Sequence, residues 1–124
     1  MKLYKCEKCG NIAAMVHDAG PTPVCCGDQM TEMVPNTTDA AQEKHVPVIA
    51  VDGQKVTVTV GSVEHPMMEE HYITFIMLET KQGRQRKVLN PGDAPKAEFM
   101  ICADDEVVAA YEYCNLHGFW KGTV

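Results

Sequence analysis

The 124-residue sequence has no apolar run near the roughly 20 residues that a membrane helix needs. It also lacks an excess of positive charge. Eleven lysines and arginines face 17 aspartates and glutamates, and the net charge of -6 argues against a nucleic-acid partner. The start, "MKLYKCEKCGN", has no apolar core of the kind found in signal peptides. We therefore expect a cytoplasmic protein with neither a membrane nor a nucleic acid as partner.

Convincing helical periodicity and internal repeats are absent too, and from about His45 onward the pattern is that of β-structure. The segment 55–60, "KVTVTV", alternates strictly, which predicts a half-buried strand with three valines on one face. The segment 72–79, "YITFIMLE", is apolar on both faces except at Thr74, which predicts a central strand. Further strands are predicted in the segments 46–51, 97–103 and 107–114, and in "RKVLN" before the "PGDAP" turn. Six or seven short strands separated by turns favour an antiparallel β-sandwich, with the polar segment 36–45 as a linker.

Cysteines are concentrated at the start of the chain, where four of the six precede residue 27. The segment up to about Pro35 is too short to fold on a core of its own, so a bound metal would supply the missing folding free energy. Cys6 and Cys9 form a Cys-x2-Cys knuckle, and Cys25 and Cys26 are adjacent. Four thiolates suit tetrahedral zinc or iron.

The adjacent cysteines cannot both adopt relaxed knuckle geometry, so we expect a distorted metal site. Strain would shift the redox potential of iron, whereas it brings zinc no evident benefit. Tyr4 and Val24 are expected to pack over this site. The alternative of three disulfides in a secreted mini-protein is disfavoured, because the β-rich remainder needs no covalent cross-links.

A second group of metal-binding residue types is spread over the β-rich part. It comprises His45, His65, His71, Cys114 and His117. All lie at predicted strand ends or turns, and loops cluster at the ends of a sandwich. Five donors exceed the four that zinc normally takes and fit iron with one open position. A blue-copper site is disfavoured because no methionine follows Cys114.

Formal charges separate the two predicted sites. Ferrous iron with four thiolates carries about -2, whereas with one thiolate and four neutral imidazoles it carries about +1. An anionic substrate is therefore attracted only to the second site. Lys44, beside His45, is the candidate cation that assists, and Glu43 is a candidate ligand for the open position after oxidation.

Together these segments resemble desulfoferrodoxin, the two-iron class of superoxide reductase. The resemblance spans nearly the whole chain and depends on "YKCEKCGN", "VCCGDQM", "EKHVPVI", "VGSVEHPM", "EEHY", "PGDAP" and "EYCNLHGFW". It implies a mainly β fold. A desulforedoxin-like domain over residues 1–35 is followed by an immunoglobulin-like antiparallel β-sandwich over residues 36–124, commonly in a homodimer.

The resemblance also implies two irons per chain and their ligands. Cys6, Cys9, Cys25 and Cys26 would hold a rubredoxin-like iron; His45, His65, His71 and His117 would be equatorial ligands of the second iron and Cys114 its axial ligand. The implied reaction is one-electron reduction of superoxide to hydrogen peroxide at ferrous iron, without formation of dioxygen, as an oxidative-stress detoxification. Lys44 matches the lysine that attracts superoxide, and Glu43 the glutamate that closes the ferric site. A rubredoxin-like protein or a reductase would supply the electron.

Two rival functions remain open from the residues alone. The first is a pure electron carrier, in which the four-cysteine iron works and the sandwich docks partners; it leaves the five-donor set unexplained. The second is a zinc-ribbon interaction module.

Overall fold

The computed structural model describes all residues from Met1 to Val124, which fold into two compact units, Met1–Val34 and Pro35–Val124. The first unit contains five strands of two or three residues: β1 Leu3–Lys5, β2 Ile12–Ala14, β3 Val24–Cys25, β4 Asp28–Gln29 and β5 Thr31–Glu32. β1 lies between β2 and β5, and β3 and β4 form a separate hairpin, all pairs being antiparallel.

The core of the first unit is small. Tyr4, Cys6 and Met30 form its buried cluster, and Leu3 is buried as well. Tyr4 packs against Cys6 as predicted, but the prediction for Val24 was wrong, because its side chain is 66% exposed. So few buried side chains cannot offset the conformational entropy of 34 ordered residues, which is consistent with a fold that depends on metal.

The second unit contains one short helix and seven strands: α1 Gln42–His45, β6 Pro47–Asp52, β7 Lys55–Val60, β8 Ile73–Thr80, β9 Arg84–Val88, β10 Lys96–Met100, β11 Val107–Cys114 and β12 Gly118–Thr123. Two antiparallel sheets form, ordered β10-β7-β6 and β12-β11-β8-β9. Their inner faces share one hydrophobic core, to which Val56, Val58 and Val60 contribute with no exposed surface. The predicted mainly β architecture with a sandwich is confirmed, as is the central position of β8.

Two parts of the second unit differ from the prediction. The prediction of no helix was wrong, because the end of the expected linker forms α1, in which the Val46 N–H donates to the Gln42 carbonyl at 2.9 Å. A four-residue helix is too short to show any 3.6-residue period. The last strand, β12, was not predicted, because its two glycines interrupt the alternation that marks a strand.

The longest helix of the structure has four residues, so no helix is long and apolar enough to cross a membrane.

Candidate metal centres

Two tight turns in the first unit bring four cysteine sulfurs together. In the first turn the Gly10 N–H donates to the Cys6 carbonyl at 2.9 Å, with Gly10 at a φ of +84° that glycine tolerates. The second is the two-residue loop of the β3–β4 hairpin, where Cys26 and Gly27 have φ values of 52° and 81°. Positive φ at both central positions is the pattern of a type I′ turn.

The type I′ turn explains how adjacent cysteines serve one site. Cys25 ends a strand, whereas Cys26 is in the left-handed region, so the two side chains leave the backbone differently and still converge. Their sulfurs lie 3.9 Å apart, and the sulfurs of Cys9 and Cys25 lie 3.6 Å apart. A tetrahedron with metal–sulfur bonds of about 2.3 Å has edges of about 3.8 Å. The sulfur positions therefore fit a tetrahedral metal ion.

The pKa values of the cysteines also indicate that a cation belongs between the four sulfurs. Backbone N–H groups around the knuckle lower the pKa of Cys6 to about 6, whereas the neighbouring sulfurs of Cys9 and Cys6 raise the pKa of Cys26 to about 12. Four thiolates within 4.8 Å of one another repel unless a positive ion lies between them. With such an ion, all four ionise and the protons are released.

The second group lies at one end of the sandwich, on four different segments. His45 ends α1, His65 and His71 lie in the connection from β7 to β8, Cys114 ends β11, and His117 lies in the turn before β12. The ligand atoms of His45, His65, His71 and Cys114 all lie within 4.8 Å of one another. His117 joins them, since its Nδ1 is 3.9 Å from the Cys114 sulfur and 3.1 Å from His45 Nε2. The structure thus brings together all five side chains that the sequence singles out.

The four imidazoles form a closed square in which each ring meets two neighbours edge to face. The centroid distances are 4.7 Å for His45–His65, 4.7 Å for His65–His71, 5.0 Å for His71–His117 and 4.9 Å for His117–His45, with interplanar angles of 77° to 89°. Cys114 is fully buried within the hydrophobic core, so its sulfur approaches the square from the protein interior. Four nitrogen donors in a square with one sulfur to the side match the arrangement of a five-coordinate metal.

Ring tautomers identify the centre of the square as a cation site. The Nδ1 atoms of His45 and His65 lie 2.7 Å from the carbonyl oxygens of Ala41 and Pro66. A carbonyl only accepts, so each Nδ1 carries the proton and each neutral ring keeps a lone pair on Nε2. Those two Nε2 atoms are only 3.1 Å apart. In addition, the buried Nε2 of His71 has no hydrogen-bond partner. Lone pairs aimed at one another are stable when a metal ion lies between them, so the donors fit the iron that the sequence predicts.

Burial sets the protonation of these groups. It lowers the pKa of His65 to about 4 and also lowers the pKa values of His45 and His71, so these rings are neutral at pH 7 and able to bind metal. Burial raises the pKa of the Cys114 thiol. Metal binding at this site must therefore displace the Cys114 proton.

Lys44 and Glu43 both lie on the exposed surface of α1. The positive charge of Lys44 contributes to the lowered pKa values of His45 and His71, which places that charge within electrostatic reach of the square. Glu43 is held through its carbonyl, which accepts hydrogen bonds from the Val63 N–H at 2.8 Å and the Ser62 hydroxyl at 3.2 Å. Its side chain is exposed.

Sequence reasoning missed two buried residues near the five donors, one beside His45 and one close enough to act on Cys114. Trp120 stacks on His45, with centroids 4.9 Å apart and planes 25° apart, and its indole N–H donates to the His117 carbonyl at 3.0 Å. Glu112, two residues before Cys114, has no exposed surface and no partner for either carboxyl oxygen. Its position opposite Trp120 in the β11–β12 ladder depends on strand pairing, which the local sequence does not reveal.

Comparison with known proteins covers both units. The sequence profile described as "Desulfoferrodoxin" matches residues 37–123, and that described as "Desulfoferrodoxin, N-terminal domain" matches residues 1–33. A desulfoferrodoxin of Nitratidesulfovibrio vulgaris is 52% identical over 120 residues, which cover 97% of this chain and 94% of the relative. A desulforedoxin of Megalodesulfovibrio gigas is 43% identical over 30 residues, 24% of this chain and 81% of the relative. The crystal structure of the superoxide reductase from Treponema pallidum is similar with a TM-score of 0.82 and 43% identity, covering 98% of each chain.

Proposed function

The chain belongs to the desulfoferrodoxin family, and on that premise we propose that it is a superoxide reductase. The reaction combines one superoxide, one electron and two protons into one hydrogen peroxide, with no dioxygen as product. The observation that carries this function is the square of four imidazoles with the buried Cys114 sulfur on its inner side. When bound there, ferrous iron supplies the electron for superoxide.

The cofactors are two iron ions in each chain, and we assign their ligands from the geometry. Cys6, Cys9, Cys25 and Cys26 hold the first ion, and His45, His65, His71, His117 and Cys114 hold the second. The first set surrounds its ion with four sulfurs and leaves no open position for substrate, and we propose that this ion passes electrons. The second set leaves one side of the square opposite Cys114, where a small anion can approach.

Protein residues around the second site have separate tasks. Neutral imidazoles leave the loaded site with a net charge of about +1, which attracts an anion despite the net charge of -6 of the chain. Lys44 adds a positive charge within reach of the square and is proposed to guide superoxide to it. The carbonyls of Ala41 and Pro66 fix the tautomers of His45 and His65, so that both rings keep Nε2 free as a donor. Glu43, on the same exposed turn, is proposed to occupy the open position in the oxidised state.

The proposal also covers the domains of the chain, its partners and its role in the cell. The functional domains are taken as residues 1–35 and 36–124. We propose a rubredoxin-like protein or a reductase as electron donor, a homodimer as the assembled form, and detoxification of superoxide in the cytoplasm as the role. Analytical ultracentrifugation tests the homodimer: a sedimentation mass near 27 kDa, twice the 13.7 kDa of the chain, is expected.

Stoichiometry tests the activity. The iron-loaded, reduced chain is mixed with superoxide under anaerobic conditions, and hydrogen peroxide and dioxygen are both measured. We expect one peroxide for each superoxide consumed and no dioxygen. Formation of dioxygen with half that yield of peroxide would indicate dismutation, and no consumption of superoxide would leave an electron carrier as the function.

A further inference from the structure

We propose that Asn115 is a positioning residue that ties His71 to the turn carrying Cys114 and His117. The proposal deepens the proposed function, since it concerns the same five-donor site. Asn115 follows Cys114 directly and precedes His117 by two residues. It touches neither substrate nor metal, and it acts through the segment that holds His71.

Three hydrogen bonds from Asn115 enclose His71 on both sides. The side-chain Oδ1 accepts the Tyr72 N–H at 3.0 Å, and the side-chain Nδ2 donates to the Glu70 carbonyl at 3.2 Å. The backbone N–H of Asn115 donates to the Tyr72 carbonyl at 3.2 Å. The residues before and after His71 are thus bound to the residue that follows Cys114, although 43 to 45 positions separate them in the chain.

His71, which is half-buried, needs this restraint more than the buried rings of His45 and His65 do. The Nδ1 atoms of His45 and His65 are each fixed by a carbonyl at 2.7 Å. For His71 the structure shows backbone restraint instead: a short hairpin in which its N–H donates to the Met68 carbonyl at 3.0 Å and its carbonyl accepts the Met68 N–H at 2.9 Å. That hairpin lies outside both sheets. β8 pairs with β11 only from Ile73, opposite Cys114, and the Asn115 side chain extends this link back across His71 to Glu70.

The side chain required at this position is specific. One acceptor and one donor must lie on a short planar group, because the two bonds go to an N–H and a carbonyl two residues apart. A carboxamide meets that need, whereas aspartate lacks the donor and alanine lacks both. The register between β8 and β11 shifts beside it, because β8 has one extra residue, Thr74, between the Tyr113–Phe75 and Cys114–Ile73 pairs. Asn115 fixes where the end of β11 meets the His71 segment beyond this shift.

A second asparagine provides a matched control. Asn36 makes the same kinds of bond with the two residues of β12 on either side of Trp120, instead of with the His71 segment. Its Nδ2 donates to the Lys121 carbonyl at 3.1 Å, its Oδ1 accepts the Lys121 N–H at 2.8 Å, and its own N–H donates to the Phe119 carbonyl at 3.1 Å. Both side chains are exposed. Asn36 has a φ of 62°, so alanine adds backbone strain there, and Asn36→Ala should destabilise the fold at least as much as Asn115→Ala.

The test follows iron loss from the second site alone. Trp120 is the only tryptophan of the chain and stacks on His45, so we expect iron bound by the square to quench its fluorescence and loss of that iron to restore it. The full-length, iron-loaded, reduced protein is mixed with excess of a ferrous chelator, and the rise in fluorescence is recorded for wild type, Asn115→Ala and Asn36→Ala. Melting temperatures are measured in parallel.

We expect Asn115→Ala to lose iron about 10- to 100-fold faster than wild type, the usual cost of removing an outer partner of a metal ligand. Asn36→Ala should stay within about twofold of wild type despite an equal or larger fall in melting temperature. If Asn115→Ala does not fold, Asn115→Ser takes its place in the test. Serine keeps a polar side chain on the turn but cannot span both partners, so the same faster loss of iron is expected. An unchanged rate in both Asn115 variants, or equal acceleration in Asn36→Ala, would overturn the proposal. Failure of the wild type to consume superoxide would refute the proposed function and leave this comparison intact.

Discussion

Gly61 lies against the carbonyl of Glu43 so closely that a Cβ on Gly61 would be 2.6 Å from the Glu43 oxygen. The same Cβ would be 3.0 Å from the Lys44 carbonyl carbon and 3.1 Å from the Val46 carbonyl oxygen. All three contacts are with backbone, which cannot move aside as a flexible side chain does. The loop after β7 therefore fixes α1, and with it His45, through the absence of a side chain at one position.

Replacing Gly61 with alanine should move α1 away and weaken the second iron site. We expect a destabilisation of about 1–3 kcal/mol, as for other overpacked positions, and faster iron loss from the square. Gly83→Ala is the control, since nothing lies within 4 Å of its Cβ and its φ is not in the left-handed region. Thermal unfolding and iron retention are measured on both variants. Wild-type iron retention in Gly61→Ala would mean that the position of α1 does not matter for the site.

Loss of one donor from the square should remove one iron and leave the other. His45→Ala deletes the ring that meets both His65 and His117, and Cys114→Ala deletes the sulfur donor. We expect iron per chain to fall from two to one and superoxide consumption to disappear. The absorption of the four-thiolate iron should remain, because its ligands belong to the other unit. Wild-type activity in both variants would place the reaction elsewhere.

Superoxide capture should depend on Lys44 through its charge. Lys44→Ala is expected to lower the second-order rate constant by several-fold. Its dependence on ionic strength should also become weaker, because the variant lacks the charge that salt screens in the wild type. Lys55→Ala makes the same change in net charge at the start of β7, five residues from its end at Val60, or about 16 Å along the strand. Stopped-flow or pulse-radiolysis measurements at several salt concentrations compare the two. A salt response in Lys44→Ala equal to that of the wild type would remove Lys44 from this role.

Much of the fold followed from local patterns. The alternation that buries Val56, Val58 and Val60 is visible in any six-residue window, and so is the apolar run of β8. Strands of two or three residues, such as β3 and β4, are too short to show a period of two, which is why the first unit showed no strand pattern. β12 was missed because one of its two glycines, Gly122, serves a close approach to backbone. At Gly122 an added Cβ would overlap the Pro47 carbonyl oxygen, which is a tertiary requirement.

The residues of the second site could be predicted from the sequence, but their arrangement in space could not. Residue types and their places at strand ends indicate His45, His65 and His117 as a set, and resemblance to a family sharpened that prediction. The square order of the rings, the tautomers fixed by Ala41 and Pro66, and the stacking of Trp120 depend on contacts between segments up to 72 residues apart, such as that between His117 and His45. No pattern within one segment encodes such contacts.

Glu112 should make the stability of the protein fall as pH rises. Burial raises the pKa of its carboxyl from 4.5 to about 9, so between these values the folded chain holds a proton that the unfolded chain has lost. The folded state binds more protons in that window, so the free energy of unfolding decreases with pH, by at most about 1.4 kcal/mol per pH unit. The contribution is complete below pH 4.5 and is lost as pH rises through about 9.

Glu112→Gln keeps the shape of the side chain and removes its titration. Its free energy of unfolding, relative to wild type, should therefore increase between pH 5.5 and pH 8.5. Glu98→Gln, which replaces an exposed carboxylate 3.4 Å from Lys55, should show a difference from wild type that changes little over the same range. Urea unfolding at both pH values, with iron content checked in every sample, provides the measurement. A difference between Glu112→Gln and wild type that is the same at pH 5.5 and 8.5 would show that the buried carboxyl does not retain its proton in the folded protein.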